Sequence, residues 1–137
     1  VIGANVPLIL IDQKEVNGKG FGIRPTKDVD LSVEVENWED FHQLRNDLMV
    51  LGFQQKELQP EHRFFMGDQM IDILPYGNSI APEGYIEWPV TGHRMNVVGF
   101  DKLFEYAKEE SITEDFRIPL IPLPLLVYTK IIAYEDR

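Results

Sequence analysis

Polar and apolar residues alternate with a period of two from Asp28 to Val35, with Val29 and Leu31 on one face and Asp28 and Asp30 on the other. That alternation predicts a strand. The period then changes: Trp38, Phe41, Leu44, Leu48 and Leu51 recur at helical spacing, Asn37 stands at the N-cap, and Glu39 and Asp40 occupy the first turn. Gly52 closes this helix. Short strands are predicted over Gln54–Leu58 and Arg63–Met66, followed by the apolar run Met70-Ile71-Asp72-Ile73-Leu74, which turns at Pro75-Tyr76-Gly77-Asn78. The stretch from Ala81 to Gly92 reads as a loop or hairpin, Met95–Val98 as a strand, and Phe100–Glu109 as a short helix with Leu103, Phe104 and Ala107 facing inward. Phe116–Ile118 predicts another strand. Pro122 and Pro124 open a last helix, buried through Leu125, Leu126, Tyr128 or Thr129, Ile132 and Ala133. Ahead of all these, Val1 to Ala4 is strand-like and leads into a short helix over 5–11, and Asn17-Gly18-Lys19-Gly20 forms a turn. The expected fold is α/β or α+β, a mixed β-sheet flanked by helices in one domain spanning 1–137.

Composition narrows the chemistry. With 137 residues, 44% hydrophobic and 26% charged, the chain suits one globular core. It has no cysteine, which excludes disulfides, thiol catalysis and Cys-based zinc sites. His42, His62 and His93 are isolated and lack the spacing of a helical metal motif. The net charge of −10 argues against a broad nucleic-acid-binding surface. No apolar run approaches a membrane span and no signal peptide is visible, so a cytoplasmic protein is expected. The chain begins with Val in a strand-like segment and stops within a helical pattern, which reads as part of a longer protein.

The acids carry the strongest chemical signal. Two carboxylates on one strand face repel each other unless a cation lies between them or water covers them. Asp28 and Asp30 alone suit a solvated edge strand as well as a Mg2+ site. Asp72, in the middle of a second apolar strand, changes the balance: beside the first strand it completes a three-carboxylate cluster of the kind used in two-metal phosphoryl or nucleotidyl transfer. Glu34 continues the face of Asp28 and Asp30 but reads as a solvated strand end. His62 and Arg63 suit either an acceptor side or an edge polar pair. Glu105, Glu109 and Glu110 read as a solvated helix face, and Trp88 as a loop anchor or a base-stacking residue.

Taken in order, Val1-Ile2-Gly3-Ala4, then Arg24-x-Thr26-x-Asp28-Val29-Asp30-Leu31, then Ile71-Asp72-Ile73, resembles the nucleotidyltransferase superfamily with the polymerase-β-type fold. The likeness is nearest to the small bacterial nucleotidyltransferases grouped with AbiEii-type abortive-infection toxins. Val97-Val98-Gly99-Phe100 and the spacing of Leu126, Lys130, Ala133 and Arg137 look like the same group. The resemblance implies that Asp28, Asp30 and Asp72 ligate Mg2+ or Mn2+, with Asp72 helping to deprotonate the acceptor hydroxyl. It also implies that Gly3, Ala4 and Asn5 form the turn approaching the triphosphate, and that Arg24, Thr26 and Lys130 contact phosphate or substrate. For Lys130, a snorkelling helix lysine is an equal reading. The family usually has Ser or Gly after the glycine. Ala4 brings no hydroxyl, and Asn5 is the side-chain donor in its place.

The implied reaction is metal-dependent transfer of a nucleoside monophosphate from an NTP to an acceptor hydroxyl on tRNA, a protein or a small molecule. The acidic balance favours the latter two acceptors, and by resemblance the chain would be the toxin of a toxin–antitoxin pair. The alternatives are a catalytically inactive nucleotide-binding or protein-interaction domain of the same fold, and a metal-dependent phosphoesterase using the same acids on another fold.

Overall fold

The computed structural model describes residues 28–135. Segment β1, Asp28–Glu34, is a strand, and Asn37 caps the helix α1, Trp38–Val50, that follows it. The Asn37 side chain accepts from the Asp40 N–H at 3.0 Å, and the Asp40 carboxylate accepts from the Glu36 N–H at 3.1 Å. Two otherwise orphaned amides are thereby satisfied, and the first-turn acids Glu39 and Asp40 favour the helix dipole. At the other end the Gly52 N–H donates to the Met49 carbonyl and the Phe53 N–H to the Leu48 carbonyl, a Schellman closure. The helix buries Phe41 and half-buries Trp38, Leu44 and Leu48, while Leu51, at its C-cap, is exposed.

The strands β2, Arg63–Met66, and β3, Gln69–Tyr76, form a hairpin, and β1 joins β3 in parallel to give the order β1-β3-β2. A parallel neighbour needs a crossover, which α1 and β2 supply. The fold continues with β4, Tyr85–Glu87, paired antiparallel with β5, Arg94–Asn96, and then the short helix α2, Phe100–Tyr106. A second small hairpin, β6 (Lys108–Ser111) with β7 (Arg117–Leu120), precedes the last helix, α3, Leu123–Glu135. The protein is therefore mixed α+β, with three helices and several small sheets among the described residues. No helix among them is long and apolar enough to cross a membrane.

The apolar face of the three-stranded sheet meets the core. Phe41, Phe64, Ile73, Ile86, Trp88, Leu103 and Leu120 are among its buried members. Trp88, only 2% exposed, lies against Trp38, Phe41 and His62 with ring centroids 5.4, 5.6 and 5.5 Å away. Burying one such side chain contributes about 2–3 kcal/mol. Trp88 is thus a core anchor.

Several expectations change. Gln54–Leu58 is not a strand: Gln54 makes a single bridge to Phe65, and Leu58 has φ 64°, a left-handed conformation that breaks extended backbone. The predicted turn at Pro75 is instead the continuation of β3 through Tyr76. The Ile73 N–H donates to the His62 carbonyl, so odd positions of β3 direct their N–H groups toward the β2 side. That ladder ends there, and the N–H that Pro75 lacks has no partner to lose. The helix predicted over Phe100–Glu109 stops at Tyr106, because Ala107 is extended (φ −62°, ψ 142°) and residues 108–111 pair with β7. Glu109 and Glu110 therefore belong to a strand, not to a helix face shared with Glu105. Phe104 is 41% exposed rather than inward, though it stacks on Tyr76 at 5.3 Å. The strand expected at Met95–Val98 runs instead over Arg94–Asn96, starting one position and ending two positions earlier, and that expected at Phe116–Ile118 runs over Arg117–Leu120, starting one position and ending two positions later. In α3, Leu126 is buried and Leu125, Thr129 and Ile132 are half-buried, whereas Tyr128 and Ala133 are exposed.

Candidate functional site

In β1 the acids occupy alternate positions, and in β3 the single acid falls where the two strands are in register: Asp30 pairs with Asp72, and Asp28 with Met70. Residues paired across a parallel ladder project from the same side of the sheet. Asp28, Asp30 and Asp72 thus share one face, opposite Val29, Leu31, Ile71 and Ile73. Asp72 is buried at 8% exposure, while Asp28 and Asp30 are half-buried.

A cation of the protein itself stands among these acids. Arg63 is paired with Asp72 in the β2–β3 hairpin, and its guanidinium donates from Nε and Nη2 to the two carboxylate oxygens at 2.8 and 2.7 Å. The fork-to-carboxylate geometry is the strong, oriented form of this contact. The Arg63 pKa rises above its ordinary value, first through the hydrogen bond to Asp72 and further through the charges of Asp72, Asp28 and Asp30, against the opposing effect of burial. All three acids therefore act on one guanidinium. The sequence offered Arg63 only as an edge polar residue or an acceptor contact, and its register opposite Asp72 could have been found by pairing the two strands as a hairpin.

His62 flanks the pair. Its Nε2 lies 3.9 Å from an Asp72 oxygen, too far for a hydrogen bond, and its buried Nδ1 has no hydrogen-bond partner among the described residues. Burial pushes its pKa below the ordinary 6.5, with Asp72 pulling the other way.

The donor set suits a hard divalent cation in type: the oxygens are carboxylates, on one sheet face, at neighbouring positions. Among the described residues no three such side chains converge on one point, since both Asp72 oxygens are turned to Arg63. Of the other candidates, Gly3, Ala4, Asn5, Arg24 and Thr26 lie outside the described residues, as do the strand at 1–4, the helix at 5–11 and the turn at 17–20. Lys130 is exposed on α3 beside Leu126, Val127, Ile131 and Tyr134, lining an apolar groove. It forms no ion pair among the described residues.

Beyond the C-terminal ends of β1 and β3 lies a cavity of about 380 Å3 lined by Glu34, Tyr76, Glu83, Val97, Val98 and Asp101, among others. The sequence reading missed it, because its walls come from segments scattered along the chain. Comparison with protein-family models, with curated proteins and with solved structures returned no significant match.

Proposed function

We propose that this chain is a metal-dependent nucleotidyltransferase that moves a nucleoside monophosphate from an NTP to an acceptor hydroxyl. The observation that carries the reading is the in-register pairing of Asp30 with Asp72, with Asp28 on the same face. In this reading the resemblance in the sequence supplies the reaction and the sheet supplies the three acids. Asp28, Asp30 and Asp72 would hold Mg2+ or Mn2+, which when bound supplies charge neutralisation of the triphosphate and activation of the acceptor hydroxyl. Asp72 would also help to deprotonate the acceptor hydroxyl. Arg63 fixes its orientation before substrate arrives, and the guanidinium is the nearby positive group for the departing pyrophosphate. The acceptor is a protein, a small molecule or a tRNA end, and the toxin role of a toxin–antitoxin pair fits the same activity.

A second reading is favoured by the double grip of Arg63 on Asp72: an internal guanidinium replaces the ion, and the domain binds a nucleotide or a protein without catalysis. Calorimetry of the full chain with each NTP and Mg2+ separates the two. Binding that disappears in Asp28→Asn/Asp30→Asn supports the enzyme. An absence of binding, or binding indifferent to that substitution, refutes it. A labelled-NTP screen against tRNA, protein and small-molecule pools then names the acceptor.

A further inference from the structure

Asp30, Asp72 and Arg63 form one row across the three-stranded sheet. The middle strand is β3, so Asp30 stands opposite Asp72 from β1 and Arg63 stands opposite it from β2. Cross-strand partners project from the same side of a sheet, with strands ~4.7–4.9 Å apart. The row therefore reads acid, acid, guanidinium. A cation shared by Asp30 and Asp72 draws Asp72 toward β1, whereas Arg63 draws it toward β2.

The guanidinium engages both Asp72 oxygens, at 2.8 and 2.7 Å. The Asp72 side chain is 11% exposed and that of Arg63 26%, so the arginine is the better solvated member of the pair. All three acids act on this one cation, the hydrogen bond to Asp72 first. A carboxylate forked by arginine still has lone pairs for a second partner. The conflict is one of charge: two cations drawing on one carboxylate at close range repel each other.

We propose that Arg63 is an exchangeable counter-ion, which holds Asp72 in the resting protein and transfers to a phosphate group when a divalent cation arrives with a polyphosphate. The proposal deepens the nucleotidyltransferase reading and rests on it. The planar fork that fits a carboxylate also fits a phosphate, so the arginine keeps its charged hydrogen bonds through the exchange. Asp72 is then free to turn its oxygens toward β1. A bare ion offers Arg63 no replacement partner. The site therefore takes the ion and the polyphosphate together, each strengthening the binding of the other by the same factor.

The test is electron paramagnetic resonance of the full chain with Mn2+ alone, and calorimetry with Mn2+–ATP. Arg63→Gln should bind Mn2+ alone about tenfold or more tightly than the wild type, and adding Asp30→Asn should abolish that gain. The ratio of the affinity for Mn2+–ATP to that for Mn2+ alone should fall about tenfold or more in Arg63→Gln. Arg63→Lys keeps the charge without the fork and should fall between the two proteins, which guards against a folding defect in the glutamine variant. In the wild type, the Arg63 Nε–Hε resonance should stay in place with Mg2+ alone and move on saturation with Mg2+–ATP, a readout that needs no variant. The proposal is overturned by equal Mn2+ affinity in wild type and Arg63→Gln, by an unchanged affinity ratio, or by an Arg63 resonance unmoved by Mg2+–ATP. If Asp28→Asn/Asp30→Asn still abolishes nucleotide binding in that event, the transferase reading survives without the exchange. No binding of ion or nucleotide by either protein removes both.

Discussion

Arg63 and Asp72 sit opposite each other in the β2–β3 hairpin and share two hydrogen bonds of 2.8 and 2.7 Å. The Asp72 side chain is 11% exposed and that of Arg63 26%, so water screens the pair only in part. Removing one partner leaves a carboxylate with little solvent to replace the guanidinium. Arg63→Gln is expected to cost about 3 kcal/mol in urea unfolding. Arg63→Gln with Asp72→Asn should cost less than the two single losses summed, with a coupling of about 1–3 kcal/mol. Strict additivity would mean that the pair contributes nothing as a pair.

The in-register acids make a second prediction, about the ion. In the presence of an NTP, the wild-type protein should lower the Mn2+ electron paramagnetic resonance signal below that of the Mn2+–NTP mixture alone, and Asp28→Asn/Asp30→Asn should leave the signal of that mixture unchanged. At about a hundredfold excess over Kd, ligand should stabilise the wild type by about 2.7 kcal/mol and the variant by nothing measurable. Equal stabilisation of both proteins would separate the ion from these acids.

Gly77 and Gly92 differ in a way that substitution should expose. Both have positive φ, 154° and 65°, but only at Gly77 does an added Cβ meet backbone, the Val35 carbonyl. Gly92→Ala should cost about 1 kcal/mol, the ordinary strain of a left-handed alanine. Gly77→Ala should cost about 2–3 kcal/mol beyond that, because two backbone segments must separate. Equal thermal stabilities of the two variants would contradict the close approach of the chain at Val35.

Tyr76 predicts an alkaline limit to stability. Burial, aided by the charges of Glu34 and Asp101, pushes its pKa up to about 12 from the ordinary 10.0. The folded state therefore keeps a proton that the unfolded chain releases between about pH 10 and pH 12. The contribution is complete below pH 10 and is lost as pH rises through this window, on the order of 2 kcal/mol in total. Tyr76→Phe should flatten the fall in unfolding free energy over this range. Identical alkaline slopes in the two proteins would exclude Tyr76 as its origin.

The helix α1 was legible in the sequence because three independent signals agreed: the Asn37 cap, the Trp38–Phe41–Leu44–Leu48 stripe and Gly52. The acid-bearing strands were legible for the same reason, since alternation and β-branched content coincide there. Elements failed where local chemistry and pairing disagree. Pro75 reads as a turn in isolation, and only the end of the β2 ladder makes it acceptable inside a strand. Lys108 to Ser111 is polar and short, and its strand exists only because residues 117–120 lie beside it. For the site, the identities of the acids were readable but their counter-charge was not. Arg63 enters through cross-strand register, a relation between residues nine positions apart that neither period reveals.

The parallel union of β1 with β3 also sets the order in which the acid face comes together. The β2–β3 hairpin joins Arg63 to Asp72 through a short local closure, of the kind that forms in microseconds. Asp30 reaches Asp72 only after the intervening segment of α1 and β2 has collapsed, a longer closure with its own entropic cost. The shorter closure predicts that Asp72 meets Arg63 before it meets Asp30. If Arg63 neutralises Asp72 in that order, a variant without it is expected to refold more slowly even where its final stability is restored.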